Sequence, residues 1–142
     1  MENQQQLQAI TVQATVNAPL EKVWKYWNSP EHITQWNTAI EEWHCPRAEN
    51  DLRAGGSFSY EMAAKDGSMS FDFAGVYDIV DENKHIAYTL GDGRKVSVTF
   101  TATANGTDVS ETFDPENMNP AEMQQAGWQA ILNNFKKYTE NN

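Results

Sequence analysis

Residues 119–138, NPAEMQQAGWQAILNNFKKY, carry the clearest helical pattern in the chain. Asn119 is a suitable N-cap, Pro120 suits the first helical position, and Glu122 completes a capping box. The side chains expected on one helix face recur at steps of four and three residues: Gln124, Trp128, Ile131, Phe135 and Tyr138. Such a helix is about 30 Å long and can cross a small domain. Since most of the chain before it has strand-like patterns, we expect this helix to lie across a curved sheet.

Two short helices are predicted between the first strand and the rest of the sheet. Pro19 begins the first, whose apolar face comprises Leu20, Val23, Trp24 and Trp27. Ser29 is the expected cap of the second, with Pro30 at its first position and Ile33 and Trp36 on its apolar side. The preceding segment, from Ile10 to Val16, alternates apolar and polar residues and is predicted to be a half-buried strand.

The middle of the chain is predicted to be an antiparallel meander. A strand is expected at residues 41–45 and a loop at residues 47–56, because Pro46, Asn50 and the Gly55-Gly56 pair interrupt regular structure. Tight turns at Asp66-Gly67, 81–84, 91–93 and 105–106 separate the strands that follow. The residues expected on their apolar face are Phe58, Tyr60, Met62, Met69, Phe71, Phe73, Tyr77, Ile79, Ile86, Tyr88, Leu90, Val96, Val98, Phe100, Val109, Glu111 and Phe113.

These patterns predict an α+β fold in a single domain of residues 1–142, with frayed ends at about 1–7 and 139–142. The sheet is expected to have six or seven antiparallel strands wrapped around the C-terminal helix. Gly75 lies in mid-strand, where a glycine commonly marks a bulge or a bend that would let the sheet curl.

Composition narrows the possible environments and partners. The net charge of −10 argues against binding to nucleic acid or to an anionic membrane. The chain has no apolar run long enough to cross a membrane, and Cys45 is its single cysteine, so we expect a cytoplasmic protein without disulfides. His32, His44 and His85 lack the spacing of metal ligands, and no phosphate-binding loop is present, so no metal or cofactor is expected.

The order of several motifs resembles a known family. The segment 18–36, APLEKVWKYWNSPEHITQW, is similar to the opening of the START-like (SRPBCC, birch-pollen-allergen-like) superfamily. Asp51-Leu52-Arg53 before Gly55-Gly56, Gly75-Val76-Tyr77, and Gly127-Trp128 in the last helix resemble, more narrowly, the family named after the activator of heat-shock-protein-90 ATPase homologues. This resemblance implies a helix-grip fold with a cavity between sheet and helix, used in the superfamily for hydrophobic ligands.

The candidate ligand-binding residues are the inward-facing side chains of this expected cavity. They are Trp36, Phe58, Tyr60, Phe71, Phe73, Tyr77, Tyr88, Phe100, Glu111, Phe113, Trp128 and Ile131. An apolar pocket with a few polar groups is typical of a small-molecule site, and the alternative for each aromatic residue taken singly is that it fills a solid core. Glu111 shares the parity of Val109 and Phe113, and would therefore be a buried acid unless a bulge reverses its direction or a neighbour pairs with it.

Three functions are consistent with these observations. The first is a non-enzymatic protein, monomeric or weakly dimeric, that binds a small hydrophobic or aromatic molecule. The second is an interaction protein resembling the co-chaperone domain that names the family. The third is an enzyme of the cyclase or aromatase type, in which Glu111, Tyr60 and Tyr88 would be the acid and base groups.

Overall fold

The protein folds as a seven-stranded antiparallel sheet that curls around a long C-terminal helix. The computed structural model describes residues 8–142. Its elements, in chain order, are β1 (Ile10–Val16), α1 (Leu20–Asn28), α2 (Pro30–Trp36), β2 (Trp43–Asn50), β3 (Ser57–Ala64), β4 (Ser70–Asp81), β5 (His85–Leu90), β6 (Lys95–Thr103), β7 (Gly106–Phe113) and α3 (Ala121–Asn141). The strand order is β1-β7-β6-β5-β4-β3-β2, so β1 and β2 are the two edges. The predicted α+β helix-grip architecture is confirmed, including the two short helices between the first two strands. The predicted fraying at residues 1–7 concerns a segment outside the described residues.

Helix α3 covers the concave face of the sheet on the side of β1. Its buried residues Leu132 and Phe135 are fully shielded from solvent. The Gln129 side chain donates a hydrogen bond to the Gln13 carbonyl oxygen at 2.9 Å, and the backbone N–H of Asn17 donates to the Glu140 carboxylate at 2.8 Å. These bonds satisfy backbone groups along an edge strand that would otherwise be unpaired.

The N-terminus of α3 is organised differently from the sequence prediction. Its N-cap is Pro120, and neither Asn119 nor Glu122 provides a side-chain cap. Instead, the buried Gln124 amide donates to the carbonyl oxygens of Glu116 (3.0 Å) and Asn119 (2.8 Å) and accepts a bond from the Glu116 N–H at 2.9 Å. This network connects the helix to the segment after β7, so the start of α3 is positioned by tertiary contacts rather than by a local cap.

The C-terminal end of α3 also differs from expectation. The chain was predicted to fray over residues 139–142, but the helix continues to Asn141 and Thr139 is fully buried. Tyr138, one residue earlier, hydrogen bonds through its hydroxyl to Nδ1 of His32 at 2.7 Å. The last turn of α3 is therefore held against α2, which keeps it ordered.

The edge strand β2 extends into a segment that the sequence predicted to be loop. Residues 47–50 belong to this strand, and Pro46 lies within it. The pairing register with β3 shifts between His44 and Arg47, so Pro46 lies at a bulge. A proline without an N–H is tolerated at such a place because an edge strand has no further neighbour to receive that hydrogen bond.

A bulge in β4 also changes which side chains face inward. The register with β5 shifts between Tyr77 and Ile79, which leaves Asp78 as the extra residue. Ile79 was predicted to face inward, but it is 43% exposed and Val80 packs against the core in its place. Met69, also predicted to face inward, is exposed near the hairpin turn.

Gly75 is required because atoms of neighbouring residues lie close to its backbone, and not because the strand has a bulge at this position. A Cβ atom there would lie 2.5 Å from the backbone oxygen of Thr89 and 3.0 Å from Cζ of Phe58. The neighbouring strand and an aromatic ring thus occupy the space that a side chain would need, whereas the bulge of β4 lies further along, between Tyr77 and Ile79.

Two glycine-to-alanine substitutions should therefore have opposite effects on stability. Gly75→Ala should lower the free energy of unfolding by roughly 1–3 kcal/mol, because the added methyl overpacks against backbone. Gly127→Ala is the matched control: an added Cβ meets no atom within 4 Å inside α3, and we expect a gain of roughly 0.5–1 kcal/mol from helix propensity. Urea denaturation measures both values, and equal effects of the two substitutions would contradict this account of Gly75.

Candidate functional site

A cavity of about 210 Å³ lies between the sheet and the helices. Its walls come from α1, α2, the central strands and α3. The lining residues are Trp27, Asn28, Trp36, Asn37, Tyr60, Met62, Phe71, Phe73, Tyr77, Ile86, Tyr88, Glu111, Trp128 and Ile131. Phe71 is 52% exposed, so the cavity approaches the surface at β4. Most of the lining is aromatic or aliphatic, as in small-molecule sites.

The structure brings together nine of the twelve candidate residues. These nine are Trp36, Tyr60, Phe71, Phe73, Tyr77, Tyr88, Glu111, Trp128 and Ile131. The other three do not line the cavity: Phe58, Phe100 and Phe113 are buried in the solid core around it. Whether any of the nine contacts a ligand stays a prediction.

Five lining residues were not among the candidates. Met62 and Ile86 follow the same strand alternation as the predicted residues, and Trp27 lies on the predicted apolar face of α1, so their patterns contained the signal. Asn28 is the last residue of α1 and Asn37 follows the end of α2, and neither has a sequence pattern that indicates burial. The Asn28 amide donates to the Trp24 carbonyl oxygen at 2.9 Å, and the Asn37 amide donates to the Met62 sulfur at 3.6 Å.

Phe58 packs against three tyrosines of the cavity wall. Its ring centroid lies 4.7 Å from that of Tyr88, 5.1 Å from that of Tyr60 and 5.2 Å from that of Tyr77. These tilted and edge-on arrangements are the favourable ones for aromatic pairs. The cluster holds three tyrosines from β3, β4 and β5 in fixed positions on the cavity wall.

Trp128 forms the opposite wall and is held by Phe113. The two rings stack face to face with centroids 3.9 Å apart and planes 8° apart. Phe73 meets the same indole nearly edge-on at 6.1 Å, and thereby connects α3 to β4 across the cavity. The indole is therefore fixed between the last strand and the far half of the sheet.

The tyrosine hydroxyls at this site remain protonated. Burial raises the pKa of Tyr88 well above its usual range, and the charge of Glu111 raises it further. Burial likewise raises the pKa of Tyr60 well above its usual range, with a contribution from the neighbouring Tyr77. Burial also raises the pKa of Tyr77, whose hydroxyl accepts a hydrogen bond from the Asn50 amide at 3.3 Å.

Glu111 is an acid placed in an apolar part of the sheet. It is 6% exposed, and the ladder of β7 runs without a bulge, so the alternation points its side chain inward as predicted. Its cross-strand neighbours are Val12 on β1 and Val98 on β6, both almost completely buried. Loss of hydration raises the pKa of Glu111 to about 8, because burial penalises the charged form.

Within residues 8–142, no lysine, arginine or histidine forms an ion pair with Glu111. The hydrogen bonds of this part of the chain also do not include its carboxyl group. The alternatives left open by the sequence were a bulge or a compensating partner, and the structure contains neither in the region it describes. Glu111 is thus a neutral acid at neutral pH that faces the cavity.

Three further findings concern metal binding, membrane spanning and a thiol–imidazole pair. Across the described residues, no three side chains of histidine, cysteine, aspartate or glutamate are grouped so that they could hold a metal ion. In the same part of the chain, no helix has the length and apolar character needed to span a membrane. His44 is exposed and Cys45 is buried on the other side of β2, so the two do not form a thiol–imidazole pair.

Comparison with known proteins identifies relatives of the whole domain. Residues 17–140 match the family model described as Activator of Hsp90 ATPase homolog 1-like protein. A search of curated proteins found no match.

Solved structures provide close matches. The chain is 64% identical to a protein from Cytophaga hutchinsonii known from a solution structure, with 93% of this chain and 92% of that chain covered and a TM-score of 0.81. It is 43% identical to the AHSA1-like protein from Aeromonas hydrophila, with 94% of this chain and 93% of that chain covered and a TM-score of 0.89. A putative uncharacterized protein from Rhizobium leguminosarum is 25% identical, with 95% of each chain covered and a TM-score of 0.75.

Burial of Glu111 leads to a stability prediction. An acid with a pKa of 4.5 when unfolded and about 8 when folded binds more protons in the folded state between these pH values. The free energy of unfolding should therefore decrease as pH rises through this window, by up to about 1.4 kcal/mol per pH unit. Glu111→Gln cannot ionise, so its stability relative to the natural protein should increase from pH 5 to pH 8. Urea denaturation at both pH values measures this difference.

Glu82→Gln provides the control for that experiment, because Glu82 is exposed in the turn after β4. It removes the same charge without changing a buried group, and we expect its stability difference from the natural protein to stay nearly constant over the same pH range. If Glu111→Gln behaves in the same way as Glu82→Gln, Glu111 is not a buried neutral acid.

Proposed function

The chain belongs to the family of Activator of Hsp90 ATPase homolog 1-like proteins, and we propose that it binds a small hydrophobic or aromatic molecule in the cavity between the sheet and α3. The observation that carries this proposal is the cavity itself, with aromatic walls and one acid inside it. In this proposal the protein acts as a binding protein, and its tyrosines orient the bound molecule rather than transform it.

The size of the cavity supports a bound molecule. Protein interiors are close-packed and contain few voids larger than a water molecule. A space of about 210 Å³ with mainly aromatic and aliphatic walls leaves those side chains without partner atoms on one side, so they forgo dispersion energy there. A ligand that fills the space would recover part of this energy as dispersion and hydrophobic contact.

The shape and lining favour a compact ring rather than a long chain. An apolar cavity of roughly 150 Å³ accommodates benzene in another protein, so a space of about 210 Å³ fits a single substituted ring. Edge-on and stacked contacts are available from Trp128, Phe73 and Tyr88. A full-length acyl chain would need a larger cavity, since pockets for drug-sized ligands start at about 300 Å³.

Filling the cavity from within should abolish binding. Ile131→Trp places a second indole from α3 into the space, and the affinity for the neutral probe tert-butylbenzene should fall at least tenfold. Gln125→Trp is the matched control, because Gln125 lies on the exposed side of the same helix and should keep the affinity of the natural protein. Binding is measured by chemical-shift changes of the tryptophan indole signals during titration.

The proposal would be overturned if the natural protein shows no saturable shift of the Trp27, Trp36 or Trp128 signals. It would also be overturned if Ile131→Trp and Gln125→Trp bind the probe equally well. Native mass spectrometry of gently purified protein provides an independent reading, since a retained small molecule appears as a mass increase that Ile131→Trp should lose.

A further inference from the structure

Among residues 8–142, the acid in the cavity has no positively charged partner. On β7, the residues on either side of Glu111 along the inward face are Val109 and Phe113, and across the sheet its neighbours are Val12 and Val98. All four are 1% exposed or less. In the described part of the chain, the neighbours of Glu111 along its own strand and on both adjacent strands are therefore apolar, and its carboxyl group faces the cavity.

The rest of the cavity wall is also without positive charge. Of the described residues that line the cavity, none is a lysine, arginine or histidine. The other titratable groups of the lining are the hydroxyls of Tyr60 on β3, Tyr77 on β4 and Tyr88 on β5, and burial keeps all three protonated and neutral. The helices contribute no titratable group to the lining: α1 provides Trp27 and Asn28, α2 provides Trp36, and α3 provides Trp128 and Ile131. A bound cation would therefore meet no like charge.

Aromatic side chains line the same space. Cations are attracted to the faces of Trp, Tyr and Phe rings, and quaternary ammonium groups are recognised in this way by aromatic cages. Tryptophan and tyrosine side chains predominate among the aromatic residues of the wall. The net charge of −10 adds a long-range field that attracts cations and repels anions.

From this juxtaposition we infer that the cavity binds a compact organic cation, an ammonium group carried on an apolar or aromatic body, with its charge paired to Glu111. This inference rests on the proposed function, since it specifies the chemical class of the molecule bound there. The apolar body fills the space beside Trp128 and Phe73. Anionic ligands such as fatty acids are disfavoured, because the described part of the cavity wall supplies no positive charge and the net charge of −10 repels them.

Binding of a fixed cation requires that Glu111 lose its proton. The buried acid holds that proton up to a pH of about 8 when the cavity is empty. A quaternary ammonium ion therefore binds with release of one proton to solvent at neutral pH. Its affinity rises with pH until the acid is ionised in the free protein, and then becomes constant.

Two probes of nearly equal shape separate the effect of ligand charge on affinity from the effect of ligand shape. Phenyltrimethylammonium carries a permanent positive charge, and tert-butylbenzene is its neutral isostere. In the natural protein, the affinity for the cation should rise roughly tenfold per pH unit from pH 6 to about pH 8 and then level off, whereas the affinity for the hydrocarbon should not rise. Titrations followed by the indole signals measure both, and this pH profile needs no variant.

The variant Glu111→Gln provides a second test of the cation inference. The ratio of cation affinity to hydrocarbon affinity at pH 9 should fall at least tenfold in this variant, and the pH dependence of cation binding should disappear. Glu82→Gln removes an equal charge from the surface and should preserve both the ratio and the pH profile. An unchanged ratio in Glu111→Gln overturns the inference.

The outcomes separate this inference from the proposed function. If the hydrocarbon binds but the cation does not, or if cation affinity is independent of pH, the cavity binds apolar molecules without using Glu111 and only the inference fails. If neither probe binds, both fail. Cation binding that survives Ile131→Trp would place the cation outside the cavity and would also overturn the inference.

Discussion

The stack between Trp128 and Phe113 is the contact on which the cavity depends. It joins α3 to the last strand with the two rings face to face at 3.9 Å, while hydrogen bonds from Gln129 and Glu140 hold the helix along β1. Because these contacts hold α3 beside β1 and β7, the helix does not pack directly against strands β3, β4 and β5, which carry the tyrosines. The curvature of the sheet then leaves a space between those strands and the indole.

The two short helices close the end of this space. Trp27 and Trp36 pack with their ring centroids 5.0 Å apart, and Phe135 of α3 meets both rings edge-on at 4.8 and 4.9 Å. Phe135, which contacts both indole rings, is fully buried. The same aromatic side chains that stabilise the junction of the three helices therefore also form one boundary of the cavity, so stability and cavity shape depend on one set of contacts.

Glu111 shows how an energetic cost can mark a functional site. An unpaired buried acid is unfavourable, and strongly shifted acids occur more often at functional sites than elsewhere. Here the cost has a clear structural origin: an unbroken register with valines on both neighbouring strands directs the side chain into an apolar cavity, away from any base in the described part of the chain. A hydrophobic residue at this position would be the cheaper choice for packing alone, and this contrast is the reason to regard the acid as part of the site.

The sequence alone was sufficient to determine the class of fold and part of the inward face of α3, because helical and strand periodicities are local properties of the chain. It did not include the fully buried Leu132 and Thr139 in that face, and it left open whether a bulge turns Glu111 outward. It could not determine the bulges at Pro46 and Asp78, since a bulge depends on how two distant strands align. It also could not show that Phe58, Phe100 and Phe113 are solid core while Tyr60, Tyr88 and Trp128 face a cavity. The five strand residues share one alternation, and Trp128 lies on the predicted inward face of α3. Only the distance between the helix and each strand, set by tertiary packing, distinguishes filled space from open space.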